Sequence, residues 1–266
     1  MFDNYNRKIT YLRISVTDRC NLRCVYCMPE EGVTLIPHDE VLRFEEIVEV
    51  VKAAVELGIY KFRITGGEPL VRKGIIELIQ LIHNVKGVDE LVLTTNGQLL
   101  EKYATQLANA GMGRVNVSLD TLDAEKYSKI TRGGNIENVF RGLKAAQEAG
   151  LTPVKINCVV QHSSKEPDAQ KVLAFAQEHG YEAQFIHQMN LETGEFDIVE
   201  GGHGGDCKNC NRLRLTADGL VKPCLFSDMG YPVRELGAKK ALEVAIVNKP
   251  ASGTSNHTGK FYNIGG

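Results

Sequence analysis

The sequence lacks the marks of a membrane protein, a secreted protein or a general nucleic-acid binder. No apolar run approaches the ~20 residues that a membrane-spanning helix needs. The N-terminus has no apolar core of the kind found in signal peptides. The formal net charge is only −2, which argues against a general binder of polyanions. We therefore expect a globular protein of the cytoplasm, with no membrane or nucleic-acid partner.

The cysteines also lack the pattern of a disulfide framework. There are seven of them, and they form two groups of three and one singleton: Cys20, Cys24 and Cys27; Cys207, Cys210 and Cys224; and Cys158. In a reducing compartment, grouped cysteines are more often metal ligands than disulfide partners. The sequence therefore predicts two cluster sites, with Cys158 as an ordinary buried cysteine.

The first triplet has a C-x3-C-x2-C spacing directly after the strand-like residues 11–17. Three thiolates on one loop are too few for a structural zinc site, which takes four protein ligands. A cubane iron–sulfur cluster is usually held by one cysteine per iron, so three cysteines leave one iron open to a non-protein ligand. An iron with a free coordination position indicates a catalytic role and not only electron storage. The alternative is a zinc loop completed by a distant histidine.

Strand-like and helix-like segments alternate along the chain. The strand-like segments are residues 10–17, 61–66, 90–96, 114–120, 152–160 and 182–189; the helix-like segments are residues 43–57, 74–84, 100–110, 135–149 and 166–179. Alternation of this kind implies parallel strands joined by right-handed crossovers. Six units predict an α/β fold with a partial (β/α)6 barrel, because a closed eight-fold barrel typically needs ~250 residues.

One face of several predicted strands is polar. Residues two apart share a face, and one such set comprises Tyr11, Arg13, Lys61, Arg63 and Lys155. Strands of a helix-covered parallel sheet are normally apolar on both faces. A packed core would not tolerate these groups without partners, so we expect the barrel interior to hold a large polar ligand.

The second and fourth predicted strands end in residues suited to binding. Gly66 and Gly67 allow close approach of the backbone to a ligand, and Glu68 can accept a hydrogen bond from an ammonium group. Ser118 and Asp120 end the fourth strand. Such short polar side chains suit ribose and carboxylate contacts, although helix capping explains them equally well.

Arg212 and Arg214 lie within the second triplet, after Cys210, and they point the same way along an extended chain. With Arg13, Arg63 and Lys155 they form a cationic set that fits a small polyanion such as a triphosphate. Here too a zinc site is the alternative, with His203 as the fourth ligand.

Residues 20–29, with Tyr26 before the third cysteine, and the motif Gly66-Gly67-Glu68-Pro69 resemble the radical S-adenosylmethionine (radical SAM) superfamily. Together with the C-terminal triplet, its two arginines and the final residues 263–266, they closely resemble the GTP 3′,8-cyclase family of molybdenum-cofactor biosynthesis. This resemblance implies a radical SAM partial barrel in residues 1–190. It also implies a short cluster-binding extension with a Gly-Gly tail in residues 191–266.

The resemblance also implies a set of site residues. The first triplet would hold the 4Fe-4S cluster that cleaves S-adenosylmethionine, and the second triplet would hold a 4Fe-4S cluster that contacts guanine. Contacts to S-adenosylmethionine would come from Tyr26, Gly66, Gly67, Glu68, Ser118 and Met189. GTP would be bound by Arg13, Arg63, Thr94, Lys155, Arg212 and Arg214, the last two also serving in catalysis. The family's terminal Gly-Gly reaches the active site, whereas the residues alone indicate only a flexible tail from Ser252 to the end.

The resemblance further implies an electron donor of the flavodoxin or ferredoxin type, a downstream cyclic pyranopterin monophosphate synthase, and a homodimer. Two departures matter. The chain is dozens of residues shorter than family members between Met189 and Cys207, and Gln184 replaces a family arginine. Two alternatives follow: a shortened radical SAM paralogue acting on another nucleotide or a peptide, and a non-catalytic zinc or iron–sulfur electron-transfer module.

Overall fold

A nine-stranded sheet organises the chain in the computed structural model, which describes residues 1–264. The strands are β1 (Tyr11–Ser15), β2 (Lys61–Thr65), β3 (Glu90–Thr95), β4 (Arg114–Ser118), β5 (Lys155–Val160), β6 (Glu182–His187), β7 (Arg212–Leu215), β8 (Leu220–Lys222) and β9 (Tyr231–Pro232). Their order is β6-β5-β4-β3-β2-β1-β7-β8-β9. The pairs from β6 to β1 are parallel, and β6 is not paired with β9, so the sheet is open. The predicted partial barrel is confirmed.

Helices follow most of the parallel strands. They are α1 (Phe44–Glu56), α2 (Ile75–His83), α3 (Leu100–Asn109), α4 (Ala124–Thr131), α5 (Ile136–Glu148), α6 (Pro167–Glu178), α7 (Val233–Leu236), α8 (Ala238–Val247) and α9 (Phe261–Ile264). The five predicted helices are all present. Helix α4 was not predicted because it is short and polar; the Asp123 carboxylate caps it by accepting a bond from the Lys126 backbone.

The strand faces divide as the alternation predicted. Leu12, Ile14, Phe62 and Ile64 are fully buried in the core with the helices. The intervening polar residues point to the opposite side of the sheet, where they line a cavity. Cys158 is also fully buried in the core, as expected from its strand position.

The pairing of β7 decides where the second triplet lies. Strand β7 is parallel to β1, whereas β8 runs antiparallel to β7. Cys20, Cys24 and Cys27 follow β1 and therefore lie at the carboxyl edge of the parallel strands. Cys207 and Cys210 precede β7, and Cys224 follows the returning β8, so all three lie at the opposite edge.

The C-terminal segment is packed against the rest of the protein, so the prediction of a flexible tail is wrong for residues 252–264. Asn256 and Ile264 are fully buried. The Asn256 side-chain amide donates to the Leu225 carbonyl at 2.7 Å, and Ile264 packs with Leu191 and Phe226. These contacts depend on partners distant in sequence, which the polar composition did not reveal. Gly265 and Gly266 lie outside the described residues.

The division at residue 190 remains a prediction. The sheet itself runs across that point, because β7 pairs with β1.

Among residues 1–264, no helix combines the length and apolarity required to cross a bilayer.

Candidate active site

A cavity of about 450 Å³ lies on the polar side of the sheet. This volume is within the ~300–1,000 Å³ range of small-molecule sites. The structure brings together there all six residues predicted to bind substrate, together with Met189 and the second cysteine triplet: Arg13, Arg63, Thr94, Lys155, Arg212, Arg214, Met189, Cys207, Cys210 and Cys224. Tyr26, Gly66, Gly67, Glu68, Ser118 and the first triplet are not among the lining residues.

The cavity wall is strongly cationic. Eight lysine and arginine side chains line it, against two aspartates. Among the described residues, the Nε atom of Arg212 is buried without a hydrogen-bond partner. A buried donor of this kind favours an anionic ligand, because an unmet hydrogen bond costs about 1–3 kcal/mol.

Cations at the amino ends of β2, β4 and β5 already have carboxylate partners. Glu90 lies 2.7 Å from the Lys61 ammonium and 2.9 Å from the Arg114 guanidinium. Burial alone would raise the pKa of Glu90, but these two contacts outweigh it and lower that pKa below its ordinary value. Lys155 forms an ion pair with Glu182. The wall therefore contains paired cations at the edge and a more concentrated group at its centre.

The short segment before Cys207 closes one side of the cavity. Glu200 forms an antiparallel bridge with Phe185 in β6, and residues 201–206 continue along the cavity wall. Gly202 packs so closely that a Cβ atom there would lie 2.9 Å from Oε1 of Gln184. The Arg212 guanidinium donates to the His203 carbonyl at 2.6 Å. The short segment thus packs against both β6 and β7.

Gln184 belongs to a row of amides. Its Nε2 donates to Oδ1 of Asn157 at 2.5 Å, and Nδ2 of Asn116 donates to the same oxygen at 3.0 Å. The glycine backbone that covers Gln184 leaves little space for a longer side chain. The glutamine at position 184 and the glycine at position 202 therefore fit together.

The first triplet lies on a loop held by the end of α4. The Arg23 and Val25 amides donate to the carbonyls of Thr131 and Ile130 at 3.2 and 2.9 Å. Arg132, which adopts a left-handed backbone with φ of 52°, donates to the carbonyls of Arg23 and Met28 at 3.0 and 2.9 Å. The helix that sequence reasoning missed thus fixes both sides of the cysteine loop.

The thiols of the first triplet are close enough to affect one another. Burial, followed by the charges of Cys27, Asp120 and Cys20, raises the pKa of Cys24 to about 12. Burial and the charge of Cys20 raise the pKa of Cys27 to about 12. Without a metal the thiols are therefore protonated at neutral pH, and thiolate formation depends on iron binding.

The Gly66-Gly67-Glu68 motif contacts the segment that joins β1 to this loop. A Cβ atom on Gly67 would lie 2.3 Å from the Arg19 carbonyl oxygen, so only glycine fits. The buried Glu68 carboxylate accepts bonds from Leu70 N, Thr95 Oγ1 and Asn96 N at 3.0, 2.8 and 2.7 Å. The carboxylate thus keeps one of its roughly four acceptor positions for a ligand.

Two further contacts connect the predicted cofactor residues with strand ends. The Tyr26 hydroxyl donates to the Asp120 carboxylate at 2.8 Å, just beyond Ser118 at the end of β4. The Asn96 amide lies 3.7 Å from the Cys20 sulfur, after β3. Tyr26, Glu68 and the first triplet therefore form one group at the carboxyl edge.

The second triplet is held by residues far away in sequence. The buried Lys249 ammonium donates to the carbonyls of Arg212 and Pro223 at 2.9 and 2.6 Å, which joins the Cys210 segment to the Cys224 segment. Arg7 donates to the carbonyls of Cys207 and Ala251 at 2.7 and 3.0 Å. Burial alone would raise the pKa of Cys210, but Lys249 and Arg212 outweigh it and hold that pKa below its ordinary value.

The cysteines of both triplets are free thiols. All seven cysteines are free, and each lies within residues 1–264. Within that range, no three His, Cys, Asp or Glu side chains converge on one ion position, and His203 does not complete such a group. A cubane does not need this convergence, because each thiolate binds a different iron.

Several residues of the site were not singled out from the sequence. Tyr11 and Lys61 were on the predicted polar face, so alternation gave a signal for them. The sequence contained no signal for Lys249, Arg7 or Arg132, because their roles depend on contacts between distant segments.

Comparisons with known proteins agree with this geometry. The radical SAM superfamily model matches residues 14–176. A GTP 3′,8-cyclase of Thermodesulfovibrio yellowstonii is 40% identical over 97% of this chain and 97% of its own length. One of Peptoclostridium acidaminophilum is 43% identical over 86% of this chain and 84% of its own. The first alignment spans 311 positions, whereas this chain has 266 residues, so that relative contains segments missing here.

Solved structures share the fold at lower identity. The structure of anSMEcpe with bound AdoMet and Kp18Cys peptide has a TM-score of 0.64 at 19% identity and covers 90% of this chain and 81% of that one. Streptococcus suis SuiB bound to S-adenosylmethionine has a TM-score of 0.56 at 22% identity, over 69% of this chain and 41% of that one. The family model and the curated relatives establish that the chain belongs to the radical SAM superfamily and, within it, to the GTP 3′,8-cyclase family.

Proposed function

We propose that this chain converts GTP to 3′,8-cyclo-7,8-dihydro-GTP for molybdenum-cofactor biosynthesis. The observation that carries the proposal is the cavity in which a dense cation group adjoins the second cysteine triplet. A triphosphate requires several fixed cations, and arginine binds phosphate oxygens through paired donors. The curated relatives are named for the same reaction.

The residues divide the work between two sites. Cys20, Cys24 and Cys27 would hold a 4Fe-4S cluster, and Tyr26, Gly66, Gly67, Glu68, Ser118 and Met189 would contact S-adenosylmethionine. When bound, the cluster and S-adenosylmethionine supply the radical chemistry. The side chains that line the cavity orient GTP and exclude water from it.

Arg13, Arg63, Arg212 and Arg214 would bind the triphosphate, with Thr94 beside Arg63. Nη1 of Arg63 donates to Oγ1 of Thr94 at 2.8 Å, which already holds this guanidinium in place. Lys155 would add a further cation at the edge of the site. Gln184 would contribute an amide where the family has an arginine, and the remaining cations would compensate for the lost charge.

Cys207, Cys210 and Cys224 would hold a second 4Fe-4S cluster facing guanine. Arg212 and Arg214 begin β7 directly after Cys210, so they would place the phosphates and ribose relative to that cluster. We further propose an electron donor of the flavodoxin or ferredoxin type, a cyclic pyranopterin monophosphate synthase downstream, and a cytoplasmic location. A homodimer is the proposed assembly.

The deciding experiment is anaerobic reconstitution followed by incubation with GTP, S-adenosylmethionine and dithionite. We expect 5′-deoxyadenosine and the cyclised nucleotide, both identified by mass spectrometry. Arg214→Ala should reduce cyclisation roughly 10- to 100-fold, the effect of losing a charged hydrogen bond, and should spare cleavage of S-adenosylmethionine. Arg141→Ala, an exposed arginine of α5 paired with Glu101, is the control and should change neither product.

Formation of 5′-deoxyadenosine by the unaltered protein without any cyclised GTP would contradict the substrate assignment. It would favour a shortened paralogue that acts on another nucleotide or a peptide. Normal cyclisation by Arg214→Ala would instead contradict the position assigned to the phosphates.

A further inference from the structure

Tyr11 lies at the centre of the cation group. On β2, Lys61 is its register partner, and on β7 its partner is Arg212. Two residues further along β1, on the same face, Arg13 lies between Arg63 of β2 and Arg214 of β7. Five of the six positions in this two-by-three grid on β2, β1 and β7 are therefore cations, and Tyr11 is the exception. We call these six residues the cation grid.

Neighbouring strands are only about 4.7–4.9 Å apart, so like charges on adjacent strands repel one another. A source of negative potential within the grid reduces this repulsion when no polyanion is bound. Within residues 1–264, the Glu90 carboxylate is paired with Lys61 at the edge of the grid. Tyr11 provides another such source beside Arg13 and Arg63.

The tyrosine supplies negative potential to these cations in two ways. Its hydroxyl oxygen accepts hydrogen bonds from the Nε atoms of Arg13, at 3.2 Å, and Arg63. Its ring also lies within reach of four cations: the charged groups of Lys61, Arg13, Arg63 and Arg212 are 5.4, 5.8, 5.9 and 5.9 Å from the ring centroid. Cations this close to an aromatic ring are attracted by its quadrupole.

We propose that Tyr11 is a positioning residue that acts as the internal counter-group of the cation grid. It aligns Arg13 and Arg63 while the site contains no polyanion, and its phenol takes up a proton when a triphosphate binds. This proposal depends on the proposed function in one respect only, which is that the triphosphate is GTP. Any polyanion that neutralises the grid should have the same effect.

The charge balance supports the proton uptake. Burial opposes ionisation, but the charges of Arg13, Arg63 and Arg212 outweigh it and lower the pKa of Tyr11 to about 7. The groups that face this phenol are Arg13 on its own strand, Lys61 and Arg63 on β2, and Arg212 and Arg214 on β7. Cys210 and Cys224 lie beyond Arg212. When phosphate oxygens neutralise these cations, the phenol regains its ordinary preference for the protonated form.

The test is calorimetric titration of the holoenzyme with GTP, and separately with inorganic tripolyphosphate, at pH 8 in two buffers of different ionisation enthalpy. Because a phenol with a pKa of about 7 is mostly ionised at pH 8, we expect the uptake of about one proton per ligand bound. Tyr11→Phe keeps the ring and removes the oxygen, so it should show no such uptake. Tyr181→Phe, a buried tyrosine at the start of β6 that does not line the cavity, should behave like the unaltered protein.

Affinity provides a second readout. Between pH 6 and pH 8 the affinity of the unaltered protein should fall about tenfold more than that of Tyr11→Phe, because only the protonated fraction binds well. Should Tyr11→Phe fail to fold, the tyrosinate absorption band of the unaltered protein gives the same information. That band should decrease when tripolyphosphate is added at pH 8.

The outcomes separate this proposal from the proposed function. Proton uptake with tripolyphosphate but no binding of GTP would support the role of Tyr11 and contradict GTP as the substrate. Binding of GTP without proton uptake, or with the same uptake in Tyr11→Phe, would overturn the role of Tyr11 and leave the proposed function intact. A protein that binds neither polyanion would overturn both.

Discussion

The two cysteine triplets contain the same ligands but are built in different ways. The first lies on one continuous loop, and its neighbours are thiols and the Asp120 carboxyl. The second comes from two segments separated by β7 and β8, and its neighbours are Lys249 and Arg212. Burial raises the pKa of Cys24 to about 12, whereas nearby cations lower the pKa of Cys210.

The difference indicates what each site requires. The first triplet forms from local sequence, and its thiols ionise only with the help of the metal. The second depends on long-range contacts that join its parts, and cations there favour the thiolate of Cys210, whereas burial raises the pKa of Cys224. The integrity of the second triplet therefore depends on the folding of the C-terminal segment, whereas the integrity of the first triplet depends on α4.

The largest effect should come from removing the Lys249 ammonium. Lys249→Met leaves the buried carbonyls of Arg212 and Pro223 without this donor, which should cost about 2–4 kcal/mol of folding free energy. Iron bound by the second triplet should be lost, and cleavage of S-adenosylmethionine should remain. Iron analysis and 5′-deoxyadenosine assays measure the two effects.

Lys249→Arg retains the charge and serves as the control for that variant. It should retain most of the second-site iron. If Lys249→Met binds iron at the second triplet as fully as the unaltered protein, the two segments do not depend on this ammonium.

A smaller effect should appear in the dependence of stability on pH near the first triplet. Burial raises the pKa of Glu68 to about 7 despite three hydrogen bonds to its carboxylate. The folded protein thus holds this proton more tightly than the unfolded chain, whose carboxyl titrates at its ordinary value near 4.5. The resulting stability is complete below about pH 4.5 and is lost as the pH rises through 7.

Urea unfolding at pH 5, 6, 7 and 8 measures this change. The free energy of unfolding of the unaltered protein should fall over this range, by an amount on the order of 2–3 kcal/mol attributable to Glu68. Glu68→Gln should lack that part of the change. Parallel pH curves for the two proteins would show that Glu68 is ionised throughout.

The smallest effect should follow the loss of the Arg132 guanidinium. Arg132→Gly removes its bonds to the Arg23 and Met28 carbonyls, but glycine suits the left-handed backbone, so the loss should be only about 1 kcal/mol. We expect lower iron retention at the first triplet and an unchanged second site. Lys129→Ala, which loses only an exposed ion pair with Glu125, is the control. Equal iron loss at both sites would contradict the separate dependence of the first triplet on α4.

Much of the fold could be predicted because it depends on local regularity. The alternation of strand faces correctly placed Arg13, Arg63 and Lys155 on one side of the sheet and Cys158 on the other. Gly58 and Gly111, which follow the ends of α1 and α3, have left-handed φ values of 86° and 91°. Helix α4 was missed because its eight residues are mostly polar and its hydrophobic stripe is short.

The supports of the site could not be predicted in the same way. Arg7 binds the Cys207 carbonyl 200 residues away, and Asn256 binds Leu225 across the packed tail. Neither residue type nor spacing marks such a contact. Tyr11 was visible as a polar-face residue, but its central position became clear only when β2 and β7 were placed on either side of β1.

The sequence by itself determined the chemistry of this protein: two sets of three thiolates, a glycine-rich turn next to the first, and strands with one cationic face. Those features depend on residue type and on the two-residue period of a strand. Only the tertiary structure decided that the triplets lie at opposite edges of the sheet and that five cations surround one tyrosine. Strand order and direction arise from pairing between distant segments, and the local pattern of a strand does not specify which neighbours it will have.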